Sequence, residues 1–69
     1  MNEEIKTVSY YKLENFFKGH TLYIKVEGGN DYYTRFDNDL SWFYSTEKFS
    51  AFRNKMIEMT PKEVFLEIL

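Results

Sequence analysis

Leu22, Ile24 and Val26 take every second position of a run that stops at Gly28-Gly29, and a second ring-rich run follows at 32–36. A period of two puts alternate side chains on opposite faces of a strand, so 22–36 reads as two strands joined by a glycine turn. A lone hairpin is marginal in water, so the flanking segments must cover one of its faces. The alternation also selects a register. Residues directly opposite each other share a face, and a two-residue turn would set Ile24 against Arg35 and Leu22 against Asp37. A three-residue loop Gly28-Gly29-Asn30 instead pairs Val26 with Tyr32, Ile24 with Thr34 and Leu22 with Phe36, with Asn30 in the left-handed position that closes such a loop. That register is the one predicted. It leaves an apolar inner face and an outer face of Tyr23, Lys25, Tyr33 and Arg35.

How the hairpin is covered depends on a small supply of apolar groups. The chain has 69 residues and no cysteine, so a single domain over 1–69 is expected, near the lower size limit for a fold held by burial alone. No disulfide or thiolate–metal staple is available to it. It carries seven Phe, six Tyr and one Trp, and each such ring can bury roughly 150–250 Å². Most of these rings are expected in the core. Any surplus would lie in a homodimer seam or a partner-binding patch.

The flanks offer helical signals. Before the hairpin, Ser9 suits a helix N-cap, Val8 and Leu13 stand at the positions of a hydrophobic staple, and Tyr10, Leu13 and Phe17 form a stripe with Phe16 beside it. Lys18 in the last turn and Gly19 as a left-handed stop complete a predicted helix over about 9–18. Residues 1–4 are expected to fray, and 5–8 to form an extended lead-in or an edge strand. After the hairpin, Asp37-Asn38-Asp39 reads as a turn and 40–44 as a third strand. A three-residue turn would point Leu40, Trp42 and Tyr44 inward; a two-residue turn would point Phe43 inward and expose Trp42. Ser45 or Thr46 then caps a helix over about 46–59, with Glu47 in its first turn and Phe49, Phe52, Met56 and Met59 as its stripe. Thr60-Pro61-Lys62-Glu63 has the form of a capping box with proline at the first helical position, and it opens a last helix over 61–69 with Val64, Phe65, Ile68 and Leu69 apolar. The expected fold is α+β: a three-stranded antiparallel sheet (about 22–27, 31–37, 40–44) against an N-terminal helix (about 9–18) and two C-terminal helices (about 46–59, 61–69).

Little chemistry is written into these residues. His20 is the only histidine, and a helix C-terminus accounts for it through the dipole. Asp37 and Asp39 open like an EF-hand loop, but no glycine stands at the sixth position and Lys48 holds the twelfth, where a glutamate belongs. Gly28-Gly29 joins strand to strand and lacks phosphate-loop spacing. No catalytic residue, metal site or cofactor is expected, and the chain reads as a non-enzyme. Nine Lys and Arg against eleven Asp and Glu give a net charge of −2, a weak footprint for nucleic acid. The acidic start is unlike a signal peptide, and no run reaches the ~18 apolar residues of a membrane span, so a cytoplasmic protein without membrane partners is expected.

The outer hairpin face carries the functional expectation. Rings and arginine are enriched at protein interfaces, so Tyr23, Lys25, Tyr33, Arg35, Trp42 and Phe43 are the predicted binding residues. The leading expectation is a small protein-binding module with a protein partner, extended by analogy to a phage or mobile-element inhibitor of a host enzyme or defence complex. The alternative is a single-stranded nucleic-acid-binding domain stacking bases on the same aromatic and basic face. A homodimer whose seam takes the surplus rings is the third.

Overall fold

The computed structural model describes residues 7–68. Five strands, β1 (Val8–Phe17), β2 (His20–Glu27), β3 (Asp31–Phe36), β4 (Phe43–Ser45) and β5 (Ile57–Met59), form one antiparallel sheet in the order β4-β3-β2-β1-β5. A 3-10 helix, Ser50–Lys55, precedes β5, and one α-helix, α1 (Pro61–Ile68), follows it. The central hairpin has the expected register: Leu22 opposes Phe36, Ile24 opposes Thr34 and Val26 opposes Tyr32.

The predicted helix over 9–18 is a strand. The same segment also carries a strand's alternation, with Ser9, Tyr11 and Leu13 on one face and Tyr10 and Lys12 on the other, which splits Tyr10 and Leu13 of the helical stripe between two cores. Such ring-rich sequence fits a half-buried pleated surface. The partner decides between the two readings, because β1 lies along the open edge of β2 and sets Tyr11 against Ile24 and Leu13 against Leu22. Gly19 is no helix stop. Lys18 (φ 50) and Gly19 (φ 84) both have positive φ, which a two-residue hairpin turn between Phe17 and His20 requires. Between Leu13 and Phe17 the register slips, and Asn15 at φ 53 absorbs the bulge.

The predicted helix over 46–59 is also overturned. Ser45 Oγ accepts from the Glu47 amide at 3.1 Å and Glu47 Oε2 accepts from the Phe49 amide at 3.1 Å, two local turns that compete with a helix start. Phe49 is left-handed at φ 59, a conformation costing roughly 1–2 kcal/mol in a residue with a side chain. Burial of its ring, 6.2 Å from Phe16, offsets that cost. Phe52 and Met56 follow it into the same core. Met59 does not, because β5 runs along β1 and its alternation turns Met59 to the other face.

The sheet is therefore covered on both faces. On the first, Leu13, Leu22, Ile24, Val26 and Phe49 form a core, joined by Tyr11, Phe16, Phe36 and Phe52. On the second, Tyr23, Met59 and Val64 are buried with Tyr10, Trp42 and Ile68 packed around them. The expected three-stranded sheet with three helices is replaced by five strands and one short helix. That helix starts as read: Glu63 Oε1 accepts from the Thr60 amide at 2.8 Å and Thr60 Oγ1 accepts from the Glu63 amide at 3.1 Å, a closed capping box. The third strand is shorter and later than expected, Phe43–Ser45. Phe43 has the parity of Thr34 on the first face and Tyr44 that of Tyr33 on the second. The fraying expected at 1–4, the lead-in at 5–6 and the helical end at 69 lie outside the described residues.

Candidate functional site

The six residues singled out from the sequence meet different fates. Tyr23, Lys25, Tyr33 and Arg35 do share one face, as the register demands. Helix α1 lies over part of that face, however, and leaves Tyr23 and Arg35 only 6% and 7% exposed. The expected fold leaves the hairpin's second face free because it places all its helices on the first. With 8–17 in the sheet and the first face covered by Phe49 and the 3-10 helix, α1 finds its apolar surface on the second.

Tyr23 is an anchor for that helix. Its hydroxyl donates to Glu67 Oε1 at 3.1 Å, and Lys12 Nζ reaches the same carboxylate at 3.2 Å. Burial pushes the Tyr23 phenol above its ordinary value, and the Glu67 hydrogen bond adds to the rise. The hydrogen bond to Glu67 likewise raises the Lys12 ammonium.

Lys25, Tyr33 and Trp42 form a cluster beside the helix. Lys25 Nζ stands 5.0 Å from the Tyr33 ring centre and 5.1 Å from that of Trp42, and it pairs with Glu27 at 3.4 Å. Desolvation holds the Tyr33 phenol above its usual value. Tyr33 in turn meets Tyr44 edge-on, ring centres 5.5 Å apart. Trp42 precedes β4 and leans over the second face against Tyr10 at 6.1 Å. Phe43 departs from the group, because its parity puts it on the first face, at the margin of the sheet.

Arg35 is the most unusual member. Its Cζ lies 5.8 Å from the Trp42 ring centre, and its Nη2 donates to the carbonyl of Asp39. The Asp39 carboxylate is committed elsewhere, with Oδ2 accepting from the Phe36 amide at 2.8 Å. Among the described residues no carboxylate lies within ion-pair distance of Arg35, and its Nε is buried without a partner. Arg35 lines a notch of about 180 Å³ between sheet and helix, closed by Tyr10 and Trp42 on one side and Pro61, Phe65 and Ile68 on the other.

Three contributors escaped the sequence reading: Tyr10, Tyr44 and Phe65. Phe65 was readable as the flank of the helical stripe set by Val64 and Ile68; Tyr10 and Tyr44 depend on pairings that link distant segments. The sheet's first face holds a second, larger concavity of about 420 Å³ between β1, β3 and the 3-10 helix, with Tyr11 and Tyr32 in its walls and Lys48, Arg53 and Glu58 at its charged positions.

The remaining polar groups serve turns. His20 Nδ1 and Asp37 Oδ1 lie 2.9 Å apart, and Asp37 Oδ2 accepts from the Thr21 amide at 3.2 Å. His20 thus opens β2 and follows no helix, a correction to its expected setting. Among the described residues no cluster of three or more His, Cys, Asp or Glu is placed to hold a metal ion, and no helix is long and apolar enough to cross a membrane. Comparison with protein-family models, with curated proteins and with solved structures gives no match for this chain.

Proposed function

We propose that this chain is a non-enzymatic protein-binding module whose partner docks at the β3–β4 side of the sheet. The observation that supports it is the edge made by β4. Its outer side has no strand partner among the described residues, and Leu40, Phe43 and Tyr44 around it are 96%, 56% and 62% exposed. Phe43-Tyr44-Ser45 carries no charge and no proline, the usual guards of an exposed edge. Guarded only by its length of three residues, this edge beside rings offers backbone hydrogen bonds for affinity and side chains for specificity, as in partners that add a strand to a sheet. Lys25, Tyr33 and Trp42 continue that surface toward the helix; Tyr23 and Arg35 act from beneath it. Its narrower form, a phage-like inhibitor of a host enzyme or defence complex working in the cytoplasm, would show as a host activity lost on adding the protein.

Affinity capture tests the module reading. The native chain is expected to hold a partner that a Phe43→Ser, Tyr44→Ser variant loses at unchanged circular dichroism and urea midpoint. Equal capture by both, or by neither, overturns it. A homodimer joined edge to edge through β4 would appear as a doubled mass in light scattering.

A second reading, single-stranded nucleic-acid binding, moves to the opposite face. Lys48 Nζ lies 5.9 Å from the Tyr32 ring centre, and Lys48 and Arg53 have no ion-pair partner among the described residues. Rings and cations along one groove are what unstacked bases need. Oligonucleotide anisotropy that rises at low salt and falls steeply with added salt supports this reading, and a flat response removes it.

A further inference from the structure

A buried guanidinium with no carboxylate partner among the described residues needs an explanation. Taking a charge out of water is costly unless it is paired and fully hydrogen-bonded, and unsatisfied buried polar atoms are few in folded proteins. Among the described residues Arg35 has one backbone carbonyl and the Trp42 ring face for company, and its Nε has no partner. Lys25 on the same indole adds a second positive charge, balanced by Glu27. That leaves Arg35 as the cation of this cluster with no ion pair among the described residues. The notch that Arg35 lines opens between Trp42 and the exposed ring of Phe65. At about 180 Å³ it falls below the roughly 300–1,000 Å³ of small-molecule sites. That volume suits one side chain better than a cofactor.

We infer that this notch is a carboxylate-binding subsite: it receives the side chain of an Asp or Glu carried by the docked protein partner, which supplies the ion pair that Arg35 does not find among the described residues. The inference rests on the protein-binding reading and names the chemistry of the partner's contact. Nε itself is sealed from solvent, so the carboxylate meets the terminal Nη edge of the guanidinium, whose planar donors match a carboxylate, and Nε serves as the reporter on the same group. Trp42, Pro61 and Phe65 exclude water around the pair, which strengthens it, as at the centres of interfaces where desolvated arginines dominate binding.

Benzoate, a carboxylate on a flat apolar body, is the probe, with benzamide as its neutral counterpart. In nitrogen–proton correlation spectra of the full chain, benzoate is expected to shift the Arg35 Nε resonance saturably while benzamide leaves it in place. Phe65→Ala, on an exposed ring, should weaken benzoate about 2- to 10-fold without unfolding the protein. The Trp42 indole N–H, on the wall of the same notch, gives a second reporter that survives loss of the guanidinium: Arg35→Met should abolish its benzoate shift and hold or raise the urea midpoint, since replacing an uncompensated buried charge by an apolar group of similar size is often stabilising. An Arg35 resonance that ignores benzoate, an equal response to benzamide, or undiminished affinity in either variant overturns the inference. Phe43 and Tyr44 do not line the notch, so failure here is separate from failure of the β4-edge test.

Discussion

Helix α1 decides what the second face can do, so its docking is the first thing to perturb. Val64 is 7% exposed against Tyr23 and Met59, whereas Leu66, two residues on, is 69% exposed. Val64→Ala removes two methyl groups, about 1.6 kcal/mol of transfer free energy at ~0.8 kcal/mol per buried carbon group. The cavity left behind brings the expected loss to roughly 2–3 kcal/mol. A chain of 69 residues holds about 3–10 kcal/mol in total, so the substitution takes a substantial share. At about 4–8 °C per kcal/mol for a domain of this size, the melting temperature should fall by about 8–24 °C. Leu66→Ala, on the outer side of the same helix, should stay within about 0.5 kcal/mol. Urea and thermal unfolding of both variants, followed by circular dichroism, measure the difference. Indistinguishable losses would refute the docking. So would a Val64→Ala variant in which the Tyr23 phenol and the Arg35 side chain are as protected from exchange as before while α1 alone frays.

The turn between β1 and β2 gives a test of strand against helix. Lys18→Asn puts at the first left-handed position a residue that tolerates it, and should stabilise the fold by about 0.5–1 kcal/mol in urea unfolding; a loss of stability would favour the helix that the structure excludes. Thr60→Ala removes the cap of α1 and should cost about 0.5–2 kcal/mol, read as a lower thermal midpoint with the sheet's amide protection retained. Acid should also weaken the protein. The Thr21 amide, then His20, hold the Asp37 carboxyl below its ordinary 3.8, and the Thr60 amide, then its hydroxyl, hold Glu63 below 4.5. Both bind protons less readily in the fold, so their contribution is complete above those ordinary values and is lost as pH falls through the depressed ones. The urea midpoint should drop from pH 6 to pH 3, and less steeply in an Asp37→Asn, Glu63→Gln variant; an unchanged slope would rule these groups out.

Segments 8–17 and 46–59 show where local reading fails. Tyr10, Leu13 and Phe17 satisfy a helical stripe, and Tyr11 and Leu13 satisfy a strand's alternation equally well. In ten ring-rich residues the two periods overlap, and only the free edge of β2 chooses between them. Phe49, Phe52 and Met56 do reach the core as a helical stripe would, yet Ser45 and Glu47 bend the chain locally and Met59 crosses to the other face along β1. The candidate site suffered by the same route. Alternation correctly groups Tyr23 and Arg35 with Lys25 and Tyr33, but their exposure depends on which face α1 covers, and α1 buries them.

The sequence by itself determined the central hairpin, its three-residue loop, the two faces and the start of α1, since alternation, glycine turns and capping boxes act between residues a few positions apart. Tertiary structure alone decided that 8–17 is a strand, that both faces of the sheet are covered, and that Arg35 is buried with no carboxylate partner among the described residues. These depend on which distant surfaces bury each other, and burial is a non-directional gain that any apolar face can supply to any other.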